Sequence, residues 1–219
     1  WDLAQFDIGT LRKTFGVTME RTVRELRGVS CIGFNEGPPP KEAICSSKMF
    51  GVRQTELPPI REALAVYVSR AAEKLRVQNS LCSTIQVGLQ TQLAQLDGPR
   101  YANTVTLALP APTDDTREIL ALAQRGLGQI YRPGYPFSKC SILLMDLSQR
   151  GEVTPDLFAP KPRPGSEQLM KAVDQINQKE GRGTVRIGRV PAKPVWAMRR
   201  DMLSQRYTTR WDEVIGVKG

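Results

Sequence analysis

No histidine occurs among the 219 residues, which removes every Ser/His, Cys/His and His–metal mechanism at the outset. Four cysteines, Cys31, Cys45, Cys82 and Cys140, lie far apart with no CxxC pair. They read as reduced core or edge thiols, not as zinc ligands. Adjacent acids occur at Asp114-Asp115 and Asp212-Glu213. The first pair stands where a helix N-terminus takes negative charge and reads as a cap, not a metal site. Gly181-Arg182-Gly183 lacks the GK[ST] ending of a phosphate loop. What remains is positive charge: 31 basic against 22 acidic side chains, a net +9 and a pI near 9.7. A polyanion is therefore the first partner to consider.

The elements that must present this charge fall into three segments. Gly37-Pro38-Pro39-Pro40 and the proline-rich stretch from Pro155 to Gly165 cannot donate a run of backbone hydrogen bonds and read as extended linkers. Before the first, in residues 1–37, Asp7 to Phe15 and Thr18 to Leu26 are short helix candidates, the second with Met19, Val23 and Leu26 at helical spacing. So few apolar groups cannot build a core alone. With Trp1-Asp2 at its start, the chain reads as a piece of something larger. Beyond the second linker lies a basic tail, in which residues 182–210 carry eight basic side chains against Asp201 alone. No run approaches the ~20 apolar residues of a membrane span, so no membrane partner and a cytoplasmic location are expected.

The middle segment, 41–150, gives the clearest pattern. Glu42 to Val52 is a strand candidate, and Pro58-Pro59 opens a helix whose stripe is Ile60, Leu64, Tyr67, Val68, Ala71, Ala72 and Leu75. Leu81 to Gln90 alternates, with Leu81, Ser83, Ile85, Val87 and Leu89 on one face. Asn103 to Leu109 alternates again, with Val105, Leu107 and Leu109 inward. Asp115 with Glu118 forms a capping box for a second helix bearing Ile119, Leu122, Ala123, Leu127 and Ile130. Cys140 to Leu147 is a final, almost wholly apolar strand. The order βαββαβ predicts an α+β domain, a four-stranded antiparallel sheet with two helices on one face. The uncovered face is expected to carry Ser46, Lys48, Thr84, Gln86, Gln90, Thr104 and Thr106. Two readings stay open for it: hydroxyls, amides and main-chain N–H groups meeting a nucleic-acid backbone, or an ordinary solvated sheet face.

Several strings are more specific than composition. Glu20-Arg21-Thr22-Val23-Arg24-Glu25-Leu26-Arg27-Gly28, Ser69-Arg70-Ala71-Ala72-Glu73-Lys74-Leu75-Arg76 and Pro162-Arg163-Pro164-Gly165-Ser166-Glu167-Gln168-Leu169-Met170 run in order along the chain. With Ile44-Cys45-Ser46, Lys179 to Thr184 and Arg206-Tyr207-Thr208-Thr209-Arg210, they resemble the C-terminal half of the UmuC family. These are the catalytic subunits of bacterial DNA polymerase V, Y-family translesion polymerases of the SOS response. The resemblance implies the end of a thumb at 1–37, a Pro linker at 38–40, a little finger at 41–150, a linker at 151–165 and a family-specific tail at 166–219.

Further expectations follow from that resemblance. The family's magnesium is held by palm carboxylates of the N-terminal half, so no cofactor is expected in this chain and no polymerisation by it alone. Primer-template DNA is the implied ligand, with Arg12 and Lys13 of the thumb and Ser46, Ser47, Lys48, Gly51 and Arg53 of the first strand approaching phosphates. Thr84, Gln86 and Thr106 join them on the sheet. Thr154, Leu157 and Phe158 occupy the place of the family's sliding-clamp peptide, with threonine for its glutamine. The tail, with Arg199, Arg200, Arg206 and Arg210 beside Trp196, Tyr207 and Trp211, corresponds to the end associated with a UmuD′-type dimer and a recombinase filament. The rival readings are a stand-alone nucleic-acid-binding module and an interaction domain whose free sheet face binds protein.

Overall fold

The computed structural model describes residues 1–33, 40–92, 98–152, 163–188, 190, 194–198 and 202–214. The chain divides into two compact units, Trp1–Pro40 and Lys41–Gly219.

The first unit holds α1 (Asp2–Gln5), α2 (Ile8–Phe15) and α3 (Val17–Leu26). Asp7 caps α2 by accepting the Thr10 N–H at 2.7 Å and the Thr10 hydroxyl at 2.8 Å. Gly16, at φ 84°, ends α2 and begins α3, a backbone turn that a side chain would strain. Leu11 and Val23 are buried, while Phe6, Phe15, Leu26 and Ile32 stay exposed. The Arg27 guanidinium donates to the carbonyls of Ala4 and Phe6, both at 2.6 Å, and ties the ends of this small unit together.

The second unit contains β1 (Ile44–Gln54), α4 (Leu57–Val77), β2 (Ser80–Thr91), β3 (Ala102–Thr113), α5 (Thr116–Ile130), β4 (Phe137–Gln149) and α6 (Ser166–Lys179), with a 3₁₀ turn at Trp211–Glu213. The sheet is antiparallel in the order β1-β4-β2-β3. Each βαβ crossover is thus split: β4 lies between β1 and β2, and β2 between β3 and β4. Helices α4 and α5 pack on one face, as the α+β reading expects. All seven stripe residues read for α4 are buried. In α5, Gly126 permits the close approach to the sheet. A Cβ there would lie 2.9 Å from Leu107 Cδ1 and 3.1 Å from Val105 Cγ1.

Two local expectations change. The Asp115 cap accepts from the Arg117 N–H at 2.8 Å, not from Glu118. On β2, Cys82 and not Leu81 points inward, the inward side shifting phase between Cys82 and Ile85, where the β2–β3 register slips. Edge strand β3 also loses its regular pairing with β2 near Pro110 and Pro112, residues that have no N–H to give.

The tail is bound to the central domain. Ser166 Oγ donates to Asp115 Oδ2 at 2.5 Å. Arg76 grips Asp174 with two hydrogen bonds at 2.6 and 2.8 Å, and donates to the Asp114 carbonyl at 2.8 Å and Thr116 Oγ1 at 3.0 Å. Arg150 pairs with both Asp114 and Glu167.

Candidate nucleic-acid interface

Strand register sorts the polar side chains onto two faces, because successive residues point to opposite sides. On the face away from the helices, Ser47, Ser141, Gly88 and Thr104 stand side by side across the four strands. The next row is Cys45, Leu143, Gln86 and Thr106. The row on the other side is Met49, Lys139, Gln90 and Ala102, and a further row holds Met145, Thr84 and Ala108. Gln86 Nε2 donates to Thr106 Oγ1 at 3.1 Å across the β2–β3 pair. These rows carry one cation, Lys139, and no carboxylate. Short hydroxyls and amides with a lone positive charge make a flat surface that donates hydrogen bonds without reading base edges.

Of the residues singled out in sequence, Ser47, Thr84, Gln86 and Thr106 therefore share this open face, as do Gln90 and Thr104. Ser46 and Lys48 do not. Ser46 is buried opposite Ile142, and Lys48 stands opposite the fully buried Cys140, both in line with Ile44 on the helix side. Both sides of β1 mix polar and apolar residues, so alternation alone could not assign its parity.

Gly51 is also corrected. Its N–H, expected to approach DNA, donates to the Trp196 carbonyl at 3.0 Å. Its missing side chain makes room for the tail, since a Cβ would lie 2.3 Å from the Ala197 carbonyl oxygen. Here the β1–β4 register slips, between Met49 and Gln54. Trp196 is not available for stacking on bases. It is 6 % exposed, meets Tyr67 edge-on at 6.1 Å and donates through Nε1 to Glu62 Oε2 at 3.2 Å. Tyr207 and Trp211 remain exposed.

The other candidates are dispersed. Arg53 donates to Gln92 Oε1 at 2.9 Å. In the first unit, Arg12 pairs with the buried Glu20 at 3.4 Å, Arg24 holds the same carboxylate at 2.6 Å, and Lys13 is exposed on the same helix as Arg12. Thr154, Leu157 and Phe158 lie outside the described residues, as do Arg199 and Arg200.

Two polar open-face residues escaped the sequence reading: Lys139 and Ser141. The signal for both was present. Lys139 and Ser141 alternate with Cys140, Ile142 and Leu144, but the apolar density of β4 masked that period.

Titratable groups confirm which side of the sheet is dry. Burial pushes the thiols of Cys82 and Cys140 up to about 12. All four cysteines are free. Asp115 goes the other way. Burial raises its pKa, but hydrogen bonds from Arg117 and Ser166 outweigh that and hold it at about 2. Asp114 and Asp115 are thus committed to Arg150, Arg117 and Ser166. Among the described residues, no three His, Cys, Asp or Glu side chains gather as a metal site, and no helix is long and apolar enough to cross a membrane.

Residues 41–157 match the impB/mucB/samB family C-terminal domain, and residues 167–217 match a domain of unknown function (DUF4113). Among curated relatives, Protein ImpB of Salmonella typhimurium is 41 % identical over 97 % of this chain and 50 % of its own length. Protein UmuC of Salmonella typhimurium strain LT2 is 39 % identical over 99 % of this chain and 52 % of its own, and Protein MucB of Escherichia coli is 40 % identical over 97 % and 50 %. The chain spans about half the length of the curated relatives it matches.

Proposed function

Because the chain belongs to the impB/mucB/samB family, to which UmuC is related, and carries that family's C-terminal domain, we propose that it is the DNA-binding and partner-docking part of an error-prone translesion DNA polymerase. The observation that supports the DNA-binding half of this reading is the sheet face away from the helices, where Ser47, Ser141, Thr84, Gln86, Gln90, Thr104 and Thr106 stand among smaller and apolar residues with, among the described residues, no carboxylate in the rows. Its ligand is the backbone of a primer-template duplex, held with little regard to sequence because phosphate contacts position and do not specify. Ser47, Thr84, Gln86 and Thr106 are the contacts on this face, with Lys48 and Arg53 on the neighbouring edge strand and Arg12 and Lys13 in the first unit.

Docking is the second half. Thr154, Leu157 and Phe158 are the anchors for a sliding clamp, with two adjacent apolar side chains to bury in its pocket. The tail is the region that meets a UmuD′-type dimer and a recombinase filament. Magnesium belongs with palm carboxylates that this chain does not supply. Its own adjacent acids, Asp114 and Asp115, are tied up in ion pairs and a helix cap, so no metal step runs through them.

Fluorescence anisotropy with a labelled primer-template duplex at about 50 and about 200 mM salt tests the reading. Binding that weakens steeply with salt and is indifferent to sequence is expected, with no primer extension when magnesium and all four nucleotides are added. Salt-independent binding, or none, would sink the DNA half of the proposal; extension by homogeneous protein would sink the assignment of chemistry elsewhere.

A further inference from the structure

We infer that a depression at Gly88 on the open sheet face is a seat for a single backbone phosphodiester, with Lys139 as its counter-charge; this rests on the reading of the chain as DNA-binding. Gly88 lies mid-strand in β2, a central strand, where glycine weakens the sheet and wants a reason. Its backbone is not among those at positive φ, so conformational freedom is not that reason. The missing side chain is. A Cβ at residue 88 would lie 2.6 Å from Ser141 Oγ and 3.3 Å from Thr104 Cγ2, filling the floor of a hollow of about 230 Å³.

The chemistry of the walls selects the occupant. Lys139, Ser141, Thr104 and Gln90 surround the hollow with side chains on the open face, and every one of them can donate a hydrogen bond. No carboxylate lines it, and Lys139 makes no ion pair among the described residues. A compact ammonium with rotatable hydroxyls recognises a phosphate oxygen as a point charge, without the planar fork that reads a guanine edge. The hollow lies on the flat polar face, open to a ligand that runs across the strands. One phosphate seated beside Gly88 would fix the register of the duplex on the sheet while leaving its sequence unread.

The test uses the whole 219-residue chain and duplexes in which single phosphates are replaced by neutral methylphosphonates, alongside Lys139→Gln, Ser141→Ala and Gly88→Val. In the wild type, one or two methylphosphonate positions should cost about ten-fold in affinity, the scale of one charged hydrogen bond. In Lys139→Gln the same replacements should cost nothing further, and the plot of log affinity against log salt should be shallower by about 0.9. Gly88→Val should act like Lys139→Gln; if it lowers the melting temperature, Lys139→Gln and Ser141→Ala decide the matter. Wild-type duplex binding with an unchanged phosphate profile in Lys139→Gln overturns the seat and leaves the DNA-binding reading standing. No duplex binding by the wild type at either salt overturns both. Poly-glutamate bound more tightly than duplex, through Lys139, would assign the hollow to an acidic peptide and overturn the proposal.

Discussion

Asp115 shows how much one carboxylate can organise. It caps α5, pairs with Arg117 at 2.6 Å and receives the Ser166 hydroxyl that begins α6. Its folded pKa of about 2 lies below the free value of 3.8, so the stability it confers is complete above that free value and is lost as pH falls through about 2. The difference corresponds to something on the order of 2 kcal/mol. Urea denaturation should therefore show wild-type stability falling between about pH 5 and pH 2. Asp115→Asn should be less stable at pH 7 by about 1–2 kcal/mol, the cost of a weakened cap and an unpaired Arg117, with a flatter acid limb. An unchanged acid limb in the variant would place the titrating group elsewhere.

At the scale of elements, much was readable before any coordinates. The α4 stripe and the alternation from Ile85 to Leu89 are strong local signals, each sitting where the period of 3.6 or 2 puts it, and Asp115 caps α5, though through the Arg117 N–H in place of Glu118. The rest depended on contacts between distant residues. Nothing near Gly51 in sequence announces that residue 196 will take its N–H, 145 positions later. Nothing in the mixed composition of β1 says that Ser46 faces the helices; only the pairing with Ile142 decides it. Trp196 lies in a basic tail and groups with its arginines in sequence, yet Tyr67 and Glu62 supply it with a lined site. That site makes a quantitative demand. Trp196→Ala should cost about 3–5 kcal/mol in denaturant titrations, as for other buried tryptophans. Gly51→Ala collides with backbone, not with the yielding end of a side chain, so it should release the same segment. The two substitutions together should then cost clearly less than the sum of each alone; strict additivity would show that Gly51 and Trp196 act independently.

On the scale of the whole molecule, a net charge of +9 draws the chain to polyanions, but charge alone does not say which surface meets them. Two double variants separate the open face from the β1 edge. Gln86→Glu with Thr106→Glu puts two carboxylates into a face that has none, and should weaken duplex binding at least ten-fold in anisotropy titrations at low salt. Lys48→Ala with Arg53→Ala should have the smaller effect, because Lys48 stands in line with the core-facing row and Arg53 is held by Gln92. The reverse ranking would move the DNA from the open face to the edge strand.

The sheet also has two borders that a second molecule could copy onto, and each is blunted by different means. Along β3, Pro110 and Pro112 have no N–H to offer a visiting strand. Along β1, the Gly51 N–H is already taken by the chain's own Trp196. The tail segment at Trp196 is in this sense placed to guard that border against self-association. A chain ended before Pro194 should keep its four strands yet present β1 as a template, and light scattering should then detect oligomers that grow with concentration. If that shortened chain stays monomeric at high concentration, the irregular register of β1 beyond Met49 is protection enough without the tail.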